Sequence, residues 1–162
     1  MYKTLLITIL IFCSVLNSSY SSKIGMFNLS EYEDNLKTAT ELYLLEKDIP
    51  EDVLLCLVPN TDTEFELYYA TTYPDQKMSE TGFFYNTSEL IFEQVVTNKK
   101  EKFYLPSLKL ISFADGEYAE VFIDFLENII GMDKAKFCES IRGKEYAKSN
   151  PIKWYAESNN CE

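Results

Sequence analysis

Apolar residues recur along this chain at helical intervals of three and four. Tyr32, Leu36, Ala39, Leu42, Tyr43 and Leu45 fall on one stripe, and Ser30 with Glu33 three residues on forms a capping box before it. Pro50 and the acids Glu51 and Asp52 suit the start of a second helix running to Val58. Thr61 or Asp62 caps a third segment reaching about Tyr73, although the aromatics of Phe65-Glu66-Leu67-Tyr68-Tyr69 would also suit a strand. Asn86-Thr87-Ser88-Glu89 opens a fourth helix with Leu90, Ile91, Phe92 and Val95 inward, closing at Asn98-Lys99-Lys100. Leu105, Leu108, Ile111 and Phe113 mark a fifth, with Pro106 near its first turn. The clearest stripe is the sixth: Ala119, Phe122, Ile123, Leu126, Ile129 and Ile130, ended by Gly131. Asp133 caps a seventh, Lys134 to Arg142, and a short basic segment leads through Pro151 to Trp154.

The expected fold class is therefore all-α. About seven short helices joined by short turns pair as consecutive antiparallel hairpins, either as a compact bundle or as a small HEAT-like α-solenoid. No tandem repeat or low-complexity linker divides the chain.

The first 21 residues follow a different pattern. Lys3 precedes the apolar run Thr4 to Leu16, and Ser19 and Ser21 place small residues before a cut at Ser22. This is the layout of a secretory signal peptide, and the run is too short for a spanning helix. The expectation is residues 1–21 as signal and residues 22–162 as a single helical domain, exported to the bacterial periplasm or the extracellular space. No stable membrane insertion is expected after signal removal.

Composition agrees with a packed domain: hydrophobic residues make up 46% and aromatics 15%, with only five Gly and five Pro. The formal charge is −11, and loss of Lys3 leaves 14 basic residues against 26 acidic ones. Such a chain is repelled by nucleic acid and anionic lipid, and favours a cationic protein partner. The acid is concentrated: Glu31, Glu33, Asp34, Asp48, Glu51, Asp52, Asp62, Glu64 and Glu66 form the candidate partner-binding face. Bases gather instead between Asp133 and Lys153.

Cys13 would leave with the signal. Cys56, within Val53-Leu54-Leu55-Cys56-Leu57-Val58, reads as a buried free thiol. A Cys138–Cys161 disulfide would pin the polar tail. The alternatives are Cys56–Cys138, an intermolecular bridge through Cys161, or no bridge.

The chain has no histidine, which excludes Ser–His and Cys–His nucleophiles and His metal sites. Asn60, Asp62 and Glu64 begin like a calcium loop, but Phe65 and Thr71 stand where that loop needs Gly and Glu. No metal, cofactor or catalytic residue is expected. A carboxylate-based glycoside hydrolase is the alternative, with Glu93, Asp124 and Glu127 as acids embedded in apolar runs. Asn28-Leu29-Ser30 and Asn86-Thr87-Ser88 are sequons that read equally as helix caps. Trp154 and the pairs Tyr68-Tyr69 and Phe83-Phe84 supply core or a binding anchor.

In size, address and charge the chain resembles the periplasmic immunity proteins that neutralise secreted antibacterial toxins. The resemblance rests on profile and carries no residue over. It implies a non-enzymatic module that binds a toxin or enzyme as an inhibitor; a structural subunit of an envelope or secretion complex is a further alternative.

Overall fold

The computed structural model describes residues 29–161; the proposed export segment and Asn28 lie outside them. The described residues form eight α-helices and no strand: α1 (Leu29–Leu44), α2 (Glu51–Cys56), α3 (Asp62–Tyr69), α4 (Phe83–Val96), α5 (Tyr104–Ile111), α6 (Ala119–Met132), α7 (Lys134–Ile141) and α8 (Ile152–Ser158). None is long and apolar enough to cross a membrane. Short 3-10 turns precede α5, α6 and α8 and extend α3 through Thr72.

Local chemistry explains most boundaries. The ambiguous third segment is helical because Thr61 caps it, its side chain accepting the Glu64 N–H at 3.2 Å. Asp133 caps α7 in the same way, through the Lys136 N–H. Helix α1 already includes Leu29, one residue before the expected cap at Ser30. It ends where Glu46 adopts a left-handed conformation (φ 52°), with Lys47 N–H donating to the Leu42 carbonyl and Glu46 N–H to that of Tyr43. That turn leads Leu45 off the core stripe, leaving it 63% exposed.

Helix α4 starts at Phe83 rather than Asn86, after Gly82 at φ 71°. The expected cap therefore lies inside the helix. Thr87 and Ser88 are buried, and the Asn86 amide donates to the Tyr43 hydroxyl, so this sequon serves the fold. The earlier start buries Phe83 and Phe84 and leaves Leu90 outside. Helix α6 runs through Gly131, and α8 is a full helix that the short basic segment did not reveal.

The core is aromatic. Phe84 is fully buried, with the rings of Tyr68, Tyr69, Tyr85 and Tyr118 at 4.8, 5.2, 5.3 and 5.5 Å and those of Phe65 and Phe122 at 6.1 Å. Most meet edge to face, the favoured electrostatic arrangement. This cluster joins α3 and α4 to the start of α6, and Phe65 stacks on Phe113 beyond α5 at 5.0 Å. The Tyr68 hydroxyl meets Thr87 Oγ1 at 2.5 Å and Ser88 Oγ at 3.2 Å within the same layer, which satisfies buried polar atoms on α4. Around it α1 packs on α2 and α3, α4 packs on α2, α5 and α6, and α6 packs on α7.

Cys138 on α7 is bridged to Cys161, with Cα atoms 5.0 Å apart. Asn160 at φ 54° makes this possible: it turns the chain beyond α8 so that Cys161 N–H returns to the Ala156 carbonyl. Cys56 departs from its expected role, since it is half-buried at the edge of a groove and is not a free thiol.

Two stability outcomes follow. Phe84→Ala should cost about 3–5 kcal/mol, against about 1–2 kcal/mol for Tyr68→Phe, which leaves the Ser88 hydroxyl without its partner; urea unfolding midpoints compare them. Replacing both Cys138 and Cys161 by Ser should lower stability by about 3 kcal/mol in the loop-entropy account. Thermal melts of that variant under non-reducing conditions measure the difference.

Candidate functional site

The described residues enclose a groove of about 850 Å³, within the usual range for ligand clefts. Its residues come from five places in the chain. Helix α1 supplies Glu31, Tyr32 and Asn35, and α2 supplies Asp52, Leu55 and Cys56. Each set spans one turn on a single helical face. Val58, Asn60 and Glu64 lie around the entry to α3. Lys102, Leu105, Pro106 and Lys109 follow an i, i+3, i+4, i+7 stripe along the outside of α5, and Lys144 with Tyr146 complete the lining between α7 and α8.

Hydrogen bonds set the groove floor. The buried Tyr32 hydroxyl donates to the Leu57 carbonyl at 2.8 Å, which fixes α1 against the end of α2. Burial drives the pKa of Tyr32 far upward, so it stays a neutral donor. Glu64 is 3% exposed, and its carboxylate accepts the Asn60 N–H. Together with the Thr61 cap this closes the start of α3 from both sides. The Asn60 side chain accepts from Lys109 Nζ. Burial pulls the Lys109 pKa down, while the neighbouring Glu64 charge pushes it up. The Tyr146 hydroxyl is buried and has no hydrogen-bond partner among the described residues.

The nine acids of the candidate face do not form one patch. Glu31, Asp52 and Glu64 meet in the groove. Asp48 and Glu51 line a separate cavity of about 700 Å³ between the α1–α2 loop and α4. Glu33 and Asp34 on α1, and Asp62 and Glu66 on α3, are exposed outside both. Three of the nine are engaged by the fold, Asp52 by accepting the Val53 N–H at 3.1 Å. Glu64 is buried in the α3 cap, and Glu51 binds Lys100 and Lys102 at 2.5 and 2.6 Å. Those two lysines hold the Glu51 carboxyl down at about 2. Asn60, Asp62 and Glu64, the calcium-like run, act as the entry to α3. Among the described residues no group of three or more Cys, Asp or Glu is placed to hold a metal ion.

The acids singled out for hydrolysis lie elsewhere. Glu93 is half-buried on α4, Asp124 and Glu127 are exposed on α6, and none lines either cavity. Glu127 accepts from the Tyr155 hydroxyl, which pushes Tyr155 up to about 12 and ties α8 to α6. Trp154 is 66% exposed on α8, away from the groove lining.

Lys102, Leu105, Lys109, Lys144 and Tyr146 were not anticipated as site residues. The helical stripe assigns Leu105 to the core, whereas it is 43% exposed at the groove. The signal was present in the stripe Lys102, Leu105, Pro106, Lys109, in which bases flank apolar residues at helical spacing. Lys144 and Tyr146 carry no such mark, because only the chain path between α7 and α8 brings them there.

No family model, curated protein or solved structure matches this chain.

Glu51 makes acid stability testable. Its folded-state pKa lies below the usual 4.5, so its contribution is complete above that value and is lost as pH falls toward about 2. Glu51→Gln should remove that part of the pH dependence, giving a flatter profile of urea midpoints across the same range. An unchanged profile would show that the two lysine contacts do not persist in solution.

Proposed function

We propose that the protein is an exported, non-enzymatic helical module that binds a protein partner through its acidic N-terminal half. In this reading it acts as an inhibitor or immunity protein for a secreted toxin or enzyme. One observation carries the reading. Glu31, Glu33, Asp34, Asp48, Asp52, Asp62 and Glu66 are exposed on or beside α1–α3, and none forms an ion pair among the described residues. Unpaired surface charges of one sign raise encounter rates with a partner of opposite sign. Acid in such excess over local bases exceeds what solubility asks of a small domain. We read the packing as a compact bundle, supported by α4 reaching α2, α5 and α6, where a solenoid repeat would touch only its neighbours.

A carboxylate hydrolase of cell-wall or other polysaccharide is the second reading, favoured by a groove lined by both a buried carboxylate, Glu64, and the exposed Asp52. Against it, Glu64 already closes the start of α3. Release of reducing ends from cell-wall polysaccharide, abolished by both Asp52→Asn and Glu64→Gln, would establish that reading and remove the first.

The partner can be isolated by affinity capture of the protein from its own source, with identification by mass spectrometry. Its association rate should fall steeply as salt rises. The double substitution Glu33→Lys, Asp34→Lys should slow association several-fold at low salt while changing dissociation little. A rate indifferent to salt would remove the acidic-surface mechanism.

A further inference from the structure

The groove separates its charges by origin. Its carboxylates come only from α1–α3: Glu31 and Asp52 on the rim and Glu64 on the floor. Its ammonium groups, Lys102, Lys109 and Lys144, all come from residues beyond 100. Apolar residues share the lining, including Leu55, Val58, Leu105 and Pro106. On the floor, Glu64 and Lys109 compensate each other through Asn60. At one end, Lys102 is held by Glu51. The rim charges that remain are Glu31 and Asp52 on the acidic side and Lys144 on the basic side; none of the three forms an ion pair among the described residues. The Tyr146 hydroxyl, two residues from Lys144, is a buried donor without an acceptor among the described residues.

A purely cationic ligand would satisfy the acidic rim but be repelled by the lysines, and a purely anionic one the reverse. The complementary ligand carries both signs across an apolar centre. We propose that the groove binds a short segment of a protein partner in which a basic and an acidic side chain flank an apolar anchor. The base faces Glu31 and Asp52, the anchor sits over Leu55 and Leu105, and the acid faces Lys144. This rests on the protein-binding reading above and narrows it: the net acidity draws the partner in, while the groove selects a mixed-charge segment.

The probe is a blocked nine-residue peptide, (Lys-Leu-Glu)3. In an extended polyproline-type conformation with three residues per turn it presents base, apolar side chain and acid on three separate faces. Its affinity for the protein is measured by calorimetry beside (Lys-Leu-Lys)3 and (Glu-Leu-Glu)3. The mixed peptide should bind roughly tenfold more tightly than either control, with about threefold for each rim contact. The exposed substitutions Glu31→Lys and Lys144→Glu should each weaken it, and Lys144→Glu should strengthen (Lys-Leu-Lys)3. If (Lys-Leu-Lys)3 binds as tightly as the mixed peptide, in a salt-dependent manner, the groove proposal fails while the acidic-surface reading stands. Mixed-peptide binding untouched by both substitutions, or no binding, overturns the proposal. A salt-insensitive association rate for the captured partner is the separate result that would remove the acidic-surface reading itself.

Discussion

Phe84 is the residue on which the remaining structure depends. It is fully buried at the start of α4, and the rings of α3 and of the α6 entry close around it. Aromatic side chains bury large areas while fixing few torsions, so helices as short as α2, α3 and α5 can be held in place by packing. Isolated helices of this length would not persist in water. The Tyr68 hydroxyl then selects one arrangement of this layer, because its contacts with Thr87 and Ser88 are met only in that register.

The groove is a consequence of that central packing. Helix α4 packs on α2, α5 and α6, and residues of α1, α2, α5 and the α7–α8 connection border the opening. Carboxylates from the acidic first half of the chain and lysines from beyond residue 100 therefore line one groove, and Lys102 of that lining, with Lys100, binds Glu51. Attraction between the two halves works within the fold there, whereas Glu31, Glu33, Asp34, Asp48, Asp52, Asp62 and Glu66 form no ion pair among the described residues. The disulfide acts at the far end of the chain, fastening α8 so that Ile152 stays in the core.

Much of this was legible in the sequence. The helical class, the caps at Thr61 and Asp133, the α6 stripe and the Cys138–Cys161 bridge all followed from local spacing and chemistry. The errors were positional. Asn86 looked like a cap because its side chain suits one, yet Gly82 could enter the left-handed region and start α4 earlier, which brought Phe83 and Phe84 inward. Leu45, Leu90 and Leu105 sat on plausible stripes, but a stripe only says which residues share a face, and not whether a neighbouring helix covers it. The acidic face was read from residues adjacent in sequence, which α1, the α1–α2 loop, α2 and α3 turn in different directions.

The sequence by itself determined that the chain is helical, strongly acidic and without histidine chemistry, because propensity, charge and composition are properties of the residues alone. It offered Cys138–Cys161 as one of several pairings, and the structure shows that one formed. Only the tertiary structure decided which carboxylates remain available. Burial in the α3 cap engages Glu64, two lysines from beyond α4 engage Glu51, and the groove sets Glu31 and Asp52 together with Lys144. Those relations join residues that are dozens of positions apart, and packing alone brings them together.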